Sequence, residues 1–404
     1  MVSSPKPLSG LKVIEFTHMV MGPAAGLVLA DLGADVIKVE PIGGDKTRAL
    51  RGSGAGYFSM YNRNKKSIAV DLKSAEGKDI VYRLVDASDV FIENFRPGAL
   101  DAMGFGHKAL SARNRRLIYC SEKGFLEGPY DQRTALDEVA QMMSGLAYMT
   151  GPPGRPLRAG SSVIDIAGGM FGAIAILSAL RERDQTGVGQ YVSASLYETA
   201  VFFVGQHMAQ FAVTGAPAAP MPARISAWAV YDVFDVKDDE KVFVGVVSDA
   251  QWAAFCKAFA LVAWAQDPAL ARNNDRVARR DEIIPPLRDL FLGFARDELM
   301  AKLEGIGLPF APIARPEDLF DDPHLNASGG LLDMGLPDGG RASLPALPMS
   351  LDGKRPGLLM DPPKVGEHTR EVLSGLGVSA RQLAALSERG FIQLDQASVA
   401  ETRT

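Results

Sequence analysis

Strand-like and helix-like segments alternate along the first 125 residues of this chain, and this alternation constrains its fold more than any other feature. The segments are apolar strand-like runs at 11–16, 34–40, 67–72, 89–95 and 117–125, and helix-like runs at 22–33 and 75–88. A strand, a helix and a second strand within about thirty residues form a βαβ unit, which requires a parallel sheet. We therefore predict an open, doubly wound, Rossmann-like α/β sheet over residues 10–125.

The rest of the chain follows a different pattern. Residues 135–210 are rich in Ala, Gly and Met and are typical of helices, and a Pro- and Ala-rich stretch follows at 216–225. Residues 230–247 predict a hairpin with its turn at Lys237–Glu240, and helix-like segments come after it. We expect a large α/β domain at 1–215, a linker at 216–225, a small α+β domain at 226–320 and a second linker at 321–330.

Charge and cysteine content exclude several classes of protein. The formal net charge is −5, whereas nucleic-acid-binding proteins are usually basic. The two cysteines, Cys120 and Cys256, are far apart, which disfavours a disulfide framework and favours a reducing compartment. We expect no signal peptide and no apolar run of membrane-spanning length. A cytoplasmic protein is therefore expected.

Asp165 is the first candidate for a reactive side chain. It stands between a polar Gly/Ser loop and a helical run of small residues, Ile166 to Arg183. An unperturbed Asp is a carboxylate at neutral pH and can attack an activated acyl group without a general base. Ala167, Gly168 and Gly169 would let an acyl group approach and leave helix N–H groups free for developing negative charge. The alternative is that Asp165 only caps a buried helix.

A cluster of basic residues indicates a polyphosphate ligand. Its members lie at predicted strand ends or in the loops that follow: Lys38, Arg48, Arg63, Lys65, Lys66, Lys73 and Arg96. Ligands of open α/β sheets bind outside the carboxyl ends of the strands, where several cations suit phosphates. The alternative for each residue is a solvated basic face. The loop after the first strand lacks G-x-G-x-x-G, so a nicotinamide dinucleotide is disfavoured despite Glu40 at the end of the second strand.

Hydrolase and metal signatures do not appear in the sequence. There is no G-x-S-x-G elbow, and the five histidines lack metal-ligand spacing, so we expect no metal. His18 follows the first strand, where it either lines the ligand site or forms hydrogen bonds within its loop.

Motifs along the chain, taken together, resemble the family III CoA transferases, also called the CaiB/BaiF family. This family includes formyl-CoA transferase, carnitine CoA transferase and α-methylacyl-CoA racemase. The similarity runs from about Leu8 to about Ile392. Its landmarks are LSGLKVIEFT with the following GPAA, LGADVIKVEP, NRNKKSIAVDLK, DVFIENFRPGALDAMG, RERDQTGVGQ at 181–190 and GEHT at 366–369.

The resemblance implies an architecture and a substrate. Each subunit would be an open ring whose C-terminal segment, 330–404, returns to complete the large domain, and two identical subunits would interlock. Coenzyme A, as acyl-CoA, would be a substrate, with no tightly bound cofactor. The positions that the resemblance assigns to CoA are Met19, Val20, Lys38, Leu72, Lys73, Asn94, Phe95 and Arg96.

The resemblance also implies a mechanism. Asp165 would attack an acyl-CoA to give an acyl-aspartyl anhydride and a thiolate, and the thiolate would return to form an aspartyl-CoA thioester. An acceptor carboxylate would then take the CoA. Such covalent steps divide one difficult exchange into easier ones.

Two alternative functions remain open at this stage. The racemases of the family carry a His directly before the position of Asp137, and this chain has Leu136, which cannot exchange a proton. Racemase activity is therefore disfavoured, and Asp137 is expected to be a second polar group of the acyl pocket or a charge at a helix N-terminus. A catalytically silent CoA-binding subunit of a heteromer is the other alternative.

Departures from formyl-CoA transferase point to other substrates. The glycine-rich loop of that enzyme has no counterpart near residues 220–230, and no glutamine follows His18. Arg155, Arg158, Arg224 and Ser226 are candidates for binding a second carboxylate. We therefore favour a dicarboxylic donor or acceptor such as succinate, with succinyl-CoA as the candidate donor.

Overall fold

A computed structural model describes residues 6–224, 226–337 and 339–395 of the chain. Its strands are β1 Lys12–Phe16, β2 Asp35–Glu40, β3 Lys65–Val70, β4 Val90–Glu93, β5 Ile118–Lys123, β6 Tyr191–Ser195, β7 Tyr231–Asp235, β8 Lys241–Gly245, β9 Phe310–Pro312, β10 Leu331–Gly335, β11 Arg341–Pro345 and β12 Ile392–Gln393.

The α-helices are distributed along the whole described chain. They are α1 Met21–Asp31, α2 Tyr57–Tyr61, α3 Ala75–Asp86, α4 Ala99–Met103, α5 His107–Arg113, α6 Asp137–Met143, α7 Leu146–Thr150, α8 Val163–Thr186, α9 Leu196–Thr214, α10 Asp249–Ala258, α11 Val262–Gln266, α12 Asn273–Ala278, α13 Arg280–Phe291, α14 Arg296–Glu304, α15 Pro323–Ala327, α16 Thr369–Gly375 and α17 Ala380–Glu388. Short 3₁₀ turns occupy Lys46–Ala49, Gly52–Gly54, Met221–Ala223, Lys237–Asp239, Pro268–Leu270 and Pro316–Asp321.

The chain divides into two compact units. The first comprises Met1–Ala218 and Pro323–Thr404, and the second comprises Ala219–Asp322. The second unit combines the antiparallel sheet β7-β8-β9 with helices α10–α14 around a core that includes Phe234, Phe255 and Phe291.

The first unit is built on a seven-stranded sheet of order β12-β3-β2-β1-β4-β5-β6. All neighbours from β3 to β6 are parallel, and β12 is antiparallel to β3. The predicted α/β fold with a parallel-dominated sheet is confirmed. The strand order reverses at β1, because β2 and β3 lie on one side of it and β4, β5 and β6 lie on the other. Ligands of open α/β sheets bind at such a reversal, so the crevice between the carboxyl ends of β1 and β4 is the expected ligand position.

Helices α1 and α8 pack over one face of this sheet through small residues. A Cβ at Gly169 would lie 2.4 Å from the carbonyl oxygen of Met21, so only glycine permits this approach. A Cβ at Gly168 would lie 2.8 Å from the Cε of Met21. Gly168 and Gly169 therefore serve the packing of α8 against α1, and the approach of an acyl group to this stretch stays a prediction.

Helix α8 also corrects an expectation about membranes. By length and composition it could cross a bilayer, and it is the one such helix within the described residues. Core helices of globular proteins pass the same test, and Ile176 and Ala179 of α8 pack in the apolar core formed with β1, β2, β4 and β5.

Some observed strands have no counterpart among the predicted elements. β6 interrupts the predicted helical region 135–210, and the hairpin β10-β11 lies in the loop-rich part of the chain. β12 has two residues and pairs with Val70 and Ala69 of β3. A strand this short is defined by its partner rather than by its own sequence pattern.

Candidate active site

A cavity of about 250 Å³ opens at the carboxyl ends of β1, β4 and β5. Its lining residues belong to the first unit and include His18, Met19, Met21, Tyr57, Asn94, Glu122, Lys123, Gly124, Ala135, Leu136, Asp137, Glu138, Arg158, Ser162, Asp165 and Leu196. The structure therefore brings together six of the predicted site residues: His18, Met19, Asn94, Asp137, Arg158 and Asp165.

Asp165 is the third residue of α8 and does not cap its own helix. Ser162 occupies the N-cap position and makes no side-chain cap bond. The carboxylate of Asp137, on α6, accepts hydrogen bonds from the N–H groups of Ile164 at 2.9 Å and of Asp165 at 3.1 Å. Asp137 is thus the charge at the helix N-terminus, supplied from a neighbouring helix. The sequence analysis expected free N–H groups at this helix start to receive developing negative charge, but Asp137 already accepts the N–H groups of Ile164 and Asp165.

A network of contacts holds Asp137 in this position. The amide of Gln141 donates to its Oδ1 at 2.6 Å, and the guanidinium of Arg158 lies 3.4 Å from the same oxygen. The backbone N–H of Ala159 donates to the Gln141 side chain at 2.8 Å, which ties the loop before α8 to α6. This network fixes the start of α8, and with it the position of Asp165.

The surroundings of the half-buried Asp165 carboxyl change its acidity. Burial and then the charge of Asp137 raise the pKa of Asp165, Arg158 lowers it, and the result is a pKa of about 7. Asp165 is therefore only partly ionised at neutral pH, which corrects the expectation of an ordinary carboxylate. A group poised near the working pH is a common property of catalytic sites.

The loop after β1 carries His18 and Met19 to the cavity. The Asn94 side chain accepts from the His18 N–H at 3.0 Å and donates to the His18 carbonyl at 2.8 Å, so Asn94 clamps this loop. Met19 adopts a left-handed φ of 62°, and its N–H donates to the Thr47 hydroxyl at 2.9 Å. Such a conformation is unusual for a non-glycine residue and is found preferentially at functional sites.

The other residues that the resemblance assigns to CoA are not among the residues that line this cavity. Leu72 and Lys73 line a second cavity of about 630 Å³ at the ends of β2 and β3, together with Pro41, Lys78 and Met103. Phe95 packs edge-on against the His18 ring, and Arg96 is exposed at the start of the loop that leads to α4. Val20 is fully buried at the N-cap of α1, so its side chain is not accessible to a ligand.

Lys38 does not present its charge to the cavity, contrary to the sequence prediction. It is 0% exposed, donates to the Thr17 carbonyl at 2.6 Å and forms ion pairs with Asp45 at 3.2 Å and Glu15 at 3.6 Å. Lys65 binds Glu15 at 2.7 Å in the same buried cluster. These lysines neutralise buried carboxylates under α1, because an unpaired charge there would be strongly destabilising.

The lining of this cavity within the first unit does not include the remaining predicted carboxylate-binding residues. Arg155 is exposed in the loop before α8, and its backbone N–H bonds the Pro152 carbonyl at 2.9 Å. Arg224 and Ser226 belong to the second unit, where Arg224 is exposed and Ser226 is buried. Their contribution to a carboxylate site stays a prediction.

Sequence reasoning missed several residues that line the cavity, among them Tyr57, Glu122 and Lys123. Glu122 and Lys123 end β5, and the rule that ligands bind at the carboxyl ends of strands would have selected them. Tyr57 comes from the separate helix α2, and no local signal in the sequence connects it to the site.

Comparison with known proteins decides the family. The sequence model of CoA-transferase family III matches residues 8–369. The chain belongs to CoA-transferase family III. It is therefore an enzyme of the CoA-transferase class, and this confirms the resemblance seen in the sequence motifs.

Individual relatives of this family III member cover almost its whole length. An acyl-CoA transferase of Fusarium pseudograminearum is 34% identical, over 96% of this chain and 89% of the relative. The succinyl-CoA:glutarate CoA-transferase of Mus musculus is 34% identical, over 92% of this chain and 86% of the relative. A CaiB/BaiF family protein from Brucella suis has a crystal structure with a TM-score of 0.82 and 34% identity, covering 92% of this chain and 100% of that one.

Proposed function

We propose that this enzyme moves CoA from an acyl-CoA donor to a carboxylic acid acceptor, with Asp165 as the covalent nucleophile. The observation that carries the proposal is the position of Asp165. It stands in the first turn of α8, on a cavity at the carboxyl edge of the parallel sheet, with its backbone fixed by Asp137. Burial keeps the Asp165 carboxylate poorly solvated, which makes it a stronger nucleophile once ionised.

The proposed exchange proceeds through two kinds of covalent intermediate. The Asp165 carboxylate attacks the thioester carbonyl, the C–S bond breaks, and an acyl-aspartyl anhydride and CoA thiolate form. The thiolate attacks the aspartyl carbonyl of the anhydride and releases the donor acid as a carboxylate, leaving an aspartyl-CoA thioester. The acceptor carboxylate attacks this thioester, and the returning thiolate cleaves the new anhydride to give the product and regenerate Asp165. One negative charge is present on the reacting groups throughout.

Coenzyme A is proposed as a substrate that extends along the edge of the sheet, and no tightly bound cofactor is required. Exposed Lys73 and the neighbouring Lys78 supply positive charge in the second cavity, where Leu72 offers an apolar contact. Met19, Asn94 and Phe95 would border the path toward Asp165. Lys38 and Val20 are left out of this proposal because both side chains are buried.

Substitution of Asp137 by Asn is expected to shift the acid limb of the activity profile. Removing the negative charge of Asp137 lowers the pKa of Asp165, so the carboxylate form persists to a pH lower by about half a unit to one unit. The measurement is kcat/KM for CoA transfer between pH 5 and pH 9. Glu127→Gln, which removes an exposed carboxylate outside the cavity lining, is the control. An acid limb that stays in place in Asp137→Asn contradicts the proposed coupling.

Arg158 is proposed to bind the second carboxylate of a dicarboxylic substrate. It lines the cavity, and its contacts with Asp137 and Glu138 are long, at 3.4 and 4.0 Å. Its guanidinium can therefore donate hydrogen bonds to a substrate carboxylate as well. Succinyl-CoA is the proposed donor, in line with the name of the mouse relative.

Substitution of Arg158 by Gln is expected to raise KM for a dicarboxylic acceptor by about 10- to 100-fold, as loss of a charge-assisted hydrogen bond predicts. Monocarboxylic acceptors should change much less. Arg133→Gln, on the nearby exposed loop, serves as the control. Equal effects on monocarboxylic and dicarboxylic acceptors would remove Arg158 from this role.

The direct test of the proposed function is a chromatographic assay. The protein is incubated with succinyl-CoA and a panel of monocarboxylic and dicarboxylic acids, and the CoA esters are separated. Formation of a new CoA ester in equal amount to released succinate supports transfer. Hydrolysis alone, or deuterium exchange at an α-carbon without transfer, would contradict it. Leu136 lines the cavity and cannot exchange a proton, so we do not propose racemisation.

We further propose that the protein is a homodimer and that it acts in the cytoplasm. The family resemblance implies that the two subunits are interlocked rings. The first unit presents apolar side chains on α8 and α9: Ile174, Phe202, Met208, Phe211 and Val213, with Phe202 72% and Val213 85% exposed. Faces of this kind mark protein interfaces, and a second copy of this chain is the proposed occupant. Light scattering on the chain expressed alone tests this. An active dimer supports it, whereas an inactive monomer favours the heteromeric alternative.

A further inference from the structure

Glu122 is a buried carboxyl that the proposed mechanism does not use. It is 2% exposed at the end of β5, and neither of its carboxyl oxygens has a hydrogen-bond partner among the residues that the structure describes. It lines the same cavity as Asp165. An unpartnered polar group in the interior destabilises a protein, so such a residue calls for an explanation in the site itself.

The Glu122 carboxyl lies against the same face of α8 as Asp165. A Cβ at Gly172 would lie 2.2 Å from Glu122 Oε1, so the carboxyl sits in the space that this glycine leaves. Gly172 follows Asp165 by about two helical turns, and the positions between them on that face are Gly168 and Gly169. We call this face the glycine seam (Asp165, Gly168, Gly169 and Gly172). No α8 side chain lies between the two carboxyls on this face, and Met21 of α1 packs against Gly168 and Gly169 between them.

Within the described part of the chain, the lysines around Glu122 are already paired with other carboxylates. Glu15 of β1, Glu93 of β4, Lys65 of β3 and Asp165 of α8 act on it electrostatically. Lys65 is bound to Glu15, and Lys123 at the end of β5 is bound to Glu93 at 2.6 Å.

The helices packed over Glu122 add no further cation near it. The only charged residue of α1 is Asp31, which binds Arg63 at 2.7 Å, and the remaining charged residues of α8 begin at Arg181. Burial, followed by the charges of Glu15 and Glu93, raises the pKa of Glu122 well above its ordinary value. These surroundings favour the uncharged carboxylic acid over the carboxylate.

We propose that Glu122 is a positioning residue that works in its uncharged form, and that its ionisation adds a second negative charge beside the glycine seam and stops turnover at alkaline pH. This inference rests on the proposed CoA transfer at Asp165. The Asp165 carboxylate, the acceptor carboxylate and the departing thiolate are all anions, and a buried negative charge beside them opposes each one. The proton of Glu122 passes to solvent at high pH and returns on acidification, with no covalent change.

The test compares pH profiles of kcat/KM for the native enzyme and Glu122→Gln, which keeps the shape of the side chain but cannot ionise. The native profile is expected to be bell-shaped, with an acid limb from Asp165 near pH 7 and an alkaline limb from Glu122. In Glu122→Gln the acid limb should remain, whereas the alkaline limb should disappear or move up by about one pH unit or more. A residue that only fills space would not move the alkaline limb.

An alkaline limb that is unchanged in Glu122→Gln overturns the inference. It would point to another group, such as Lys65, because burial lowers the pKa of Lys65 to about 8. Glu127→Gln, five residues further along and exposed, is the matched control for loss of a carboxylate. Absence of CoA transfer by the native enzyme would instead overturn the proposed function.

A second measurement does not depend on how well the variant folds. Nuclear magnetic resonance of the native protein labelled with ¹³C at glutamate carboxyls reports each protonation state directly. One glutamate that is uncharged at pH 7 and titrates only at alkaline pH supports the inference. A spectrum in which every glutamate is ionised at pH 7 overturns it.

Discussion

Asp165→Asn is expected to lower the rate of CoA transfer by about a thousandfold or more. The amide cannot form the acyl-aspartyl anhydride, so the exchange loses its covalent route. Binding of acyl-CoA should change only a few-fold, because the substitution removes no group from the second cavity, which carries Leu72 and Lys73.

The measurement is kcat with succinyl-CoA and a dicarboxylic acceptor, together with the Kd of CoA from calorimetry. Asp165→Ala should behave alike and guards against deamidation of Asn back to Asp. Asp184→Asn, at the exposed end of the same helix, is the matched control. A rate in both Asp165 variants above about one tenth of the native rate would contradict nucleophilic catalysis at this residue.

The same Asp165→Asn substitution is expected to stabilise the folded protein at alkaline pH. Burial and the charge of Asp137 raise the pKa of Asp165 to about 7, whereas in the unfolded chain it returns to about 3.9. Between these values the folded state binds more protons than the unfolded state, so the free energy of unfolding falls as pH rises toward 7. Above pH 7 the full loss is present, and it amounts to about 2–4 kcal/mol after allowance for solvent screening.

Denaturant unfolding of the native protein and Asp165→Asn at pH 8 and pH 5 tests this expectation. The variant should be more stable at pH 8, and its advantage should shrink to less than about half at pH 5, where the native Asp165 is protonated in the folded state. A variant that is no more stable than the native protein at pH 8 would show that ionisation of Asp165 does not destabilise the folded state. The expected result is a trade of stability for activity.

The sheet was predictable from the sequence because its strands are local signals. Each strand from β1 to β5 is a short apolar run bounded by a turn or helix signal, and observed bounds differ from predicted ones by a few residues. β6 was missed because Tyr191–Ser195 lies within an Ala-rich stretch between long helices. β12 was missed because it is defined by its pairing with β3, which lies more than 300 residues earlier in the sequence.

The site was predictable in composition but not in its electrostatics. Asp165 and Asp137 were selected, yet the sequence could not show that Asp137 caps the helix of Asp165 and raises its pKa. Lys38 was misassigned because its position in β2 looks like a strand end, although parallel register places it beside Glu15 of β1. Both errors concern contacts between segments that are distant in sequence, where local patterns carry no information.

Intact-protein mass spectrometry after brief incubation with succinyl-CoA tests the central claim, which is covalent catalysis by Asp165. The account predicts an acyl or CoA adduct on the native protein, conversion by hydroxylamine to a hydroxamate that peptide mapping places at Asp165, and no adduct on Asp165→Ala. Turnover without any adduct, or a hydroxamate at another residue that persists in Asp165→Ala, would contradict it.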